Sequence, residues 1–427
     1  MANVPTPDTF CALPWINQLV SERGRIFPCA FSMESGEALK QENGEYFSVD
    51  QREDAWNCAG LRSLRLKLMN NERPQSCGRC FRLEDFGIPS LREVSNRHFG
   101  HLAAELKNNT TEDGGAPYRV MGLDLRFGNS CNLRCRMCSP ESSVKMIDEF
   151  RAIYPDIPEG YFSGLENLDW FRSPETRSLL LRHAAELREL HLAGGEPFLI
   201  PEVVLFLEEL VETGASKHVT LTFNTNLTLL PEKIYRLWPR FERVKVFVSL
   251  DGVGAVSDYI RFPSKFSVID RNLRFLDENF LELSRPLVCF HTTVQMHNIL
   301  SLDETIQYVT GGFKSFFPFP ILSPLFWPEP YCIDVLPSGL KKLASQRLLL
   351  LKEANAHQWK ATESRCDYEE GAERFQRNID GIIRVMNERD RSSLMPEFLR
   401  ITGEFDRSRG QNISNILPSA YGAARYA

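Results

Sequence analysis

The sequence predicts an α/β protein: a partial (βα)6 barrel at residues 118–325, a small cysteine-bearing domain at 1–106, and a mainly helical C-terminal extension at 326–427. Three observations carry this expectation. Strand-like and helical stretches alternate from Arg119 to Ile321, the pattern of βα units and a parallel sheet. The pattern turns purely helical after Pro330. The first hundred residues are irregular and hold clustered cysteines.

In chain order, a helical patch near Gly60 to Asn71 comes first, and Lys107 to Pro117 (KNNTTEDGGAP) is polar with paired glycines, the composition of a linker. Arg119–Phe127 alternates Met121, Leu123, Leu125 and Phe127 on one face. Further strands are expected at Glu186–Ala193, His218–Asn224, Val244–Leu250, Pro286–Val294 and Phe313–Ile321. Helices are expected between them at Pro201–Thr213, Pro231–Phe241 and Ser267–Glu282. The C-terminal helices are expected at Ser338–Glu353, Tyr368–Arg389 and Pro396–Glu404, with Leu348 to Leu351 as buried core.

At 427 residues, more than one domain is expected, because single cores stop growing near roughly 250–300 residues. The formal charge of −6, from 50 basic and 56 acidic residues, argues against a broad nucleic-acid surface. The basic run Arg62 to Lys67 reads as a solvated helix face. No stretch has the roughly 18 consecutive apolar residues of a membrane span. The opening MANVPTPDTFCALPW lacks a basic segment followed by an apolar run, so no signal peptide and no membrane association are expected. Eleven cysteines then point to a reducing, cytoplasmic setting, where metal clusters or catalysis explain thiols better than disulfides.

Cys131, Cys135 and Cys138 form a C-x3-C-x2-C run just after the first barrel strand. Three thiolates leave room for a fourth ligand. The spacing admits a zinc knuckle, three unrelated buried cysteines, or a cubane iron–sulfur cluster with one open iron. A second group, Cys11, Cys29, Cys77 and Cys80, has a C-x12-G-x4-C arm and a C-x2-C arm. Gly24 permits a tight reversal that brings Cys11 and Cys29 together as a hairpin pair. Two such arms suffice for one four-ligand site, a zinc ribbon or an auxiliary cluster.

The strand Glu186–Ala193 runs into Gly194-Gly195-Glu196-Pro197. The cysteine triplet and this turn together resemble the radical S-adenosylmethionine (SAM) superfamily. Phe223-Asn224-Thr225-Asn226 resembles that family's strand-end TN motif. Val248-Ser249-Leu250-Asp251-Gly252 with Asp258-Tyr259-Ile260-Arg261 resembles its SLDG…yiR stretch. The resemblance implies a partial (βα)6 TIM-like barrel in which Cys131, Cys135 and Cys138 hold a [4Fe-4S] cluster whose fourth iron chelates SAM. It implies cofactor contacts from Gly194, Gly195, Glu196, Asn224, Ser249, Asp251 and Arg261. Met137 stands where the family usually has an aromatic residue leaning on the adenine. Reductive cleavage of SAM to a 5′-deoxyadenosyl radical, followed by hydrogen abstraction, is the implied chemistry.

The arms around Cys11, Cys29, Cys77 and Cys80, with Asn71 to Pro74 and Phe86 to Arg92 beside them, resemble the Twitch form of the family's SPASM-like domains, placed N-terminal to the barrel. A second, auxiliary [4Fe-4S] cluster is implied there. The implied partners are a peptide or small-molecule substrate and a reductant protein such as flavodoxin or ferredoxin; the implied reaction is a net oxidation or cross-link. The alternatives are a radical epimerase or carbohydrate alcohol dehydrogenase, and, from another class, a non-catalytic protein with structural zinc sites. An epimerase needs a hydrogen donor, and Cys332, just past the last barrel-like strand, is the candidate. Cys58, Cys289 and Cys366 read as small buried residues, and His191 and His291 as hydrogen-bonded barrel-lining residues. Asp124 and Arg126 are candidate substrate contacts on the first barrel strand.

Overall fold

The computed structural model describes residues 8–362 and 371–416, so Cys366 and the start of the helix expected from Tyr368 lie outside the described residues. Eight strands, β1 Asn17–Val20, β2 Ile26–Phe27, β3 Gly122–Arg126, β4 Glu189–Ala193, β5 Thr220–Thr225, β6 Arg243–Ser249, β7 Leu287–Val294 and β8 Ile321–Pro324, form a sheet in the order β2-β1-β3-β4-β5-β6-β7-β8. The α/β class and its mostly parallel sheet are as expected. Two compact units are present: residues up to Ser130 with Asn167–Phe223 and Leu237–Val244, and Cys131–Glu166 with Asn224–Arg236 and residues from Lys245 onward.

In the first unit, β1 and β2 form an antiparallel hairpin, closed at Gly24, whose φ of +74° and N–H to the Ser21 carbonyl (2.8 Å) make the reversal. β1 then pairs in parallel with β3, Asn17 opposite Gly122. Two strands beyond the predicted six therefore come from the cysteine-bearing N-terminal region. The helices of this unit include α1 (Ala59–Met69), α2 (Gly78–Asp85), α3 (Leu91–Phe99) and α4 (Pro201–Glu212). α4 starts with proline, whose missing N–H costs nothing there. It buries Val203, Phe206, Leu207 and Leu210, each contributing about 2 kcal/mol.

Two expectations fail in this unit. Arg65, within the basic run, is fully buried, its guanidinium donating to the carbonyls of Pro14, Trp56 and Gly114 and to Asn57 Oδ1. Lys107–Pro117 is also no free linker: Trp56 Nε1 donates to the Pro117 carbonyl (2.8 Å) and Asn57 Nδ2 to that of Ala116 (2.9 Å).

In the second unit, β6, β7 and β8 are parallel neighbours, with Ser249 opposite His291 and His291 opposite Ile321. The last strand lies later than expected. Pro318 and Pro320 offer no ladder donors, and Phe313 and Phe316 instead stack with each other (4.8 Å) and on Phe290. The helices of this second unit include α5 (Ala255–Ile260), α6 (Phe266–Glu278), α7 (Leu302–Gly312), α8 (Ser338–Thr362), α9 (Gly371–Glu388) and α10 (Met395–Arg409). In the leucine run only Leu348 and Leu351 are buried; Leu349 and Leu350 are exposed, as helical period requires.

Candidate functional site

The cysteine loop lies in the second unit. Its backbone is tied to the chain after α5, with Arg136 N–H donating to the Ile260 carbonyl (2.9 Å) and Arg134 N–H to that of Phe262 (2.6 Å). Cys131, Leu133 and Cys135 form one buried cluster against which Met137 and Cys138 pack. Three donors face the sulfurs. Leu133 N–H lies 3.4 Å from Cys131 Sγ, Asn226 Nδ2 4.0 Å from the same atom, and Arg261 Nη1 3.9 Å from Cys135 Sγ. Cys135 is held below the usual thiol range by a hydrogen bond with Cys138 and by Arg261, against the opposing effect of burial. Cys138 is pushed up by that same bond and by burial. Positive donors at buried sulfur stabilise thiolate, which suits an iron cluster rather than inert packing.

Arg261 is itself oriented. Its Nη2 lies 2.7 Å from Asp251 Oδ2, and Asp251, fully buried, also accepts the Thr293 N–H (2.8 Å). Burial raises the Asp251 carboxyl despite the opposing pull of Arg261. One arm of the guanidinium thus serves a carboxylate of the chain and another serves a ligand cysteine. Asp251 acts through Arg261.

Of the two asparagines in the TN stretch, Asn224 and Asn226, Asn226 is the buried one. It donates to Asn132 Oδ1 (3.0 Å) as well as facing Cys131. The signal was present, because both asparagines lie in the same TN stretch. Asn224 and Ser249 are half-buried at their strand ends. Met137 packs on Val256, Tyr259 and Ile260, next to Ile413.

In the first unit, Gly194 has φ +108°, and a Cβ there would lie 3.0 Å from the Gly128 carbonyl oxygen. A Cβ on Gly195 would lie 2.2 Å from the Ser130 carbonyl oxygen. The paired glycines let this turn bond the stretch leading to the cysteine loop: Gly195 N–H to Gly128 O (3.2 Å) and Glu196 N–H to Ser130 O (2.9 Å). The Glu196 carboxylate, 1 % exposed, caps the next turn by accepting the Phe198 N–H (3.1 Å).

The same unit holds Cys11, Cys29, Cys77 and Cys80. Burial raises all four, Cys77 and Cys80 to about 12, and Cys11 is raised further by the nearness of Cys29, Cys80 and Cys77. Cysteines of the two arms therefore lie near enough to act on one another's charge. Arg92 braces Cys11 through the Phe10 carbonyl (3.0 Å) while pairing with Glu84 (2.5 Å). Arg79, lowered to about 10 by burial, lies over the Phe31 ring. Cys11, Cys77 and Cys80 are each raised in part by other cysteines of the set, which a metal group would relieve by taking them as thiolates. Among the described residues, no group of three or more His, Cys, Asp or Glu side chains is arranged around a single metal-ion position. The sulfurs around a cubane bind different irons and need not converge on one point.

Asp124, Arg126 and His191 form a chain in the first unit: Arg126 Nε lies 3.0 Å from Asp124 Oδ1, and His191 Nδ1 3.0 Å from Oδ2. His291 Nε2 is 2.8 Å from Ser323 Oγ. Cys58 is half-buried and Cys289 buried. Cys332 is 2 % exposed, its Sγ lies 3.7 Å from the Pro328 carbonyl, and burial pushes its thiol up to about 11.

Residues 125–307 match the family model described as the Radical SAM superfamily. No curated protein matches the chain. Solved structures similar to it include native anSMEcpe with bound AdoMet and Cp18Cys peptide (17 % identity, 55 % of this chain, 58 % of that chain, TM-score 0.34). Streptococcus suis SuiB bound to S-adenosylmethionine is similar over 64 % of this chain and 56 % of that one, at 11 % identity and TM-score 0.29. TYW1 with a lysine-pyruvate adduct is similar over 40 % of this chain and 55 % of that one, at 18 % identity and TM-score 0.22. The chain thus spans less than two thirds of the length of these structures.

Proposed function

We propose that this chain is a radical SAM oxidoreductase that abstracts hydrogen from a peptide or small polar metabolite, with net oxidation or cross-linking. The observation that carries the reading is the packing of Cys138 against the buried Cys131 and Cys135, with Asn226 directed at the Cys131 sulfur and Arg261 at the Cys135 sulfur. When bound, the [4Fe-4S] cluster and SAM supply reductive carbon–sulfur cleavage and a hydrogen-abstracting radical.

The chain's own residues do the rest. The three cysteines hold the cluster through three irons. Arg261 places positive charge at sulfur, Asn226 offers a neutral amide donor, and Asp251 sets the Arg261 fork. Gly194 and Gly195 provide the close backbone approach, and Glu196 fixes the turn that follows. Asn224, Ser249 and Met137 are assigned to SAM by their strand-end and loop positions. Cys11, Cys29, Cys77 and Cys80 are assigned to an auxiliary [4Fe-4S] cluster. Four cysteines saturate such a cluster, which favours uptake of an electron from substrate over direct ligation. A flavodoxin or ferredoxin is the proposed reductant. Among the described residues, no helix is long and apolar enough to cross a membrane.

The epimerase reading draws on one observation. A thiol at about 11 stays protonated near neutrality, as a hydrogen donor must. Its near-complete burial at Cys332 leaves oxidation the preferred reading. The test is anaerobic purification and reconstitution, with iron and sulfide assayed beside zinc, followed by reduction with SAM. Formation of methionine and 5′-deoxyadenosine that disappears in the Cys131→Ala/Cys135→Ala/Cys138→Ala variant supports the proposal. Zinc without sulfide, or cleavage unchanged in that variant, refutes it.

A further inference from the structure

Arg136 lies between two of the ligand cysteines and is fully buried. Every arm of its guanidinium is taken. Nε donates to the Tyr259 carbonyl (3.1 Å), Nη1 to the Thr402 carbonyl (3.5 Å), and Nη2 to Asp406 Oδ1 (2.5 Å) and Gln411 Oε1 (3.0 Å). The guanidinium also stacks 3.6 Å above the Tyr259 ring. Tyr259 Oη donates to the same Asp406 oxygen (2.8 Å), and the other Asp406 oxygen accepts the Ile413 N–H (2.9 Å). Asp406 is therefore a node joining α10, the segment after it, α5 and the cysteine loop, all within the second unit.

A second contact runs in parallel. Met137, the next residue, packs with Ile413 against the cluster of Val256, Tyr259, Ile260 and Ile416. Thus the two residues between Cys135 and Cys138 are both held by chain some 270 positions later in the sequence. Burying an arginine costs several kcal/mol of desolvation, and an apolar side chain fills such a place at no loss of stability. What the apolar alternative lacks is direction: a planar fork with four fixed partners defines one loop conformation.

We propose that Arg136 is a positioning residue through which the C-terminal helix α10 and the segment after it set the cysteine loop for cluster retention and SAM binding. The inference rests on the proposed function, and its test separates the two. Full-length Arg136→Lys and Asp406→Asn are prepared beside wild type and Arg400→Ala, an exposed position of the same helix. Far-UV circular dichroism, cluster loss to a chelator and the SAM-dependent part of the electron paramagnetic resonance spectrum of reduced protein are measured on each.

Loss of an outer partner of a metal site costs about 10–100-fold in metal affinity. Cluster loss should therefore be about tenfold faster or more in Arg136→Lys and Asp406→Asn, with an altered SAM-dependent signal and unchanged circular dichroism. Arg400→Ala should match wild type. Wild-type retention and spectra in both variants overturn the proposal. If Arg136→Lys fails to fold, Asp406→Asn decides by the same criteria. A wild type that retains no iron, or shows no response to SAM, overturns the underlying functional reading instead.

Discussion

The turn after β4 offers the most direct perturbation, Gly195→Ala. The added Cβ would lie 2.2 Å from the Ser130 carbonyl oxygen and 2.6 Å from its carbon, both backbone atoms. Ordinary contact begins near 3.4 Å, so Ser130 must retreat by about 1.2 Å. That movement breaks the Glu196 N–H to Ser130 bond, now 2.9 Å, and strains the Gly195 N–H to Gly128 bond, now 3.2 Å. Overpacking costs about 1–3 kcal/mol and each lost hydrogen bond about 0.5–1.5 kcal/mol, so a destabilisation of about 2–5 kcal/mol is expected. Ser130 is bonded covalently to Cys131, and misplacement of a catalytic group by about 1 Å lowers rate about a hundredfold. The assays are chemical denaturation and SAM-dependent 5′-deoxyadenosine formation by reconstituted protein. Gly339→Ala is the control, since a Cβ there meets nothing within 4 Å. A Gly195→Ala protein with wild-type stability and turnover refutes the close-approach argument.

Reconstituted wild type should carry about eight irons per chain, and either the Cys131/Cys135/Cys138 or the Cys11/Cys29/Cys77/Cys80 alanine set about four; eight irons remaining in either set contradicts its ligand assignment. Arg261→Lys loses the fork that reaches both Asp251 and Cys135, so SAM affinity by calorimetry should fall, and an unchanged affinity rejects the role. Burial pushes the Glu149 carboxyl up, but hydrogen bonds from Arg409 and Ser408 and the nearby Arg134 outweigh it and hold it below its usual range. Its contribution is present above the ordinary carboxylate value of about 4.3 and is lost as pH falls through the lower folded value. Glu149→Gln should lose about 3 kcal/mol at pH 7 and show a correspondingly flatter acid limb in denaturation, whereas parallel curves contradict the linkage. Cys332→Ala should leave turnover of an oxidised substrate intact, and solvent deuterium in a product of unchanged mass, blocked by that substitution, would favour the epimerase.

Five of the six predicted strands were legible because Leu, Val and Phe alternate with polar residues between Met121 and Val294, and a half-buried strand imposes that period. β1 was not, because four residues after a tryptophan-bearing turn are too few to show a period. The sixth strand was misplaced because aromatic content drew the assignment toward Phe313, while the two prolines that exclude a ladder there went unweighed. The cysteine spacings were legible in the sequence, and what they hold is proposed. Their supporting groups were not legible. Arg65 reads as a surface charge because composition does not say which guanidinium finds four acceptors. Asn226 and Asn224 share a motif, and burial alone separates them.

The two cysteine sets are treated differently by the chain, and the difference bears on their roles. At Cys131 and Cys135 the protein supplies donors directly to sulfur, and Cys135 is lowered. Cys138, by contrast, is raised, and a cubane held by these three cysteines would keep one corner for another ligand. At Cys11, Cys29, Cys77 and Cys80 burial dominates and every thiol is raised, while Arg79 and Arg92 stand behind the ligands. A four-thiolate cubane there is closed to substrate, and arginine charge beside it offsets the negative charge of an added electron. A cluster with one open corner, on a loop braced by α10, is what the proposed SAM chemistry would need.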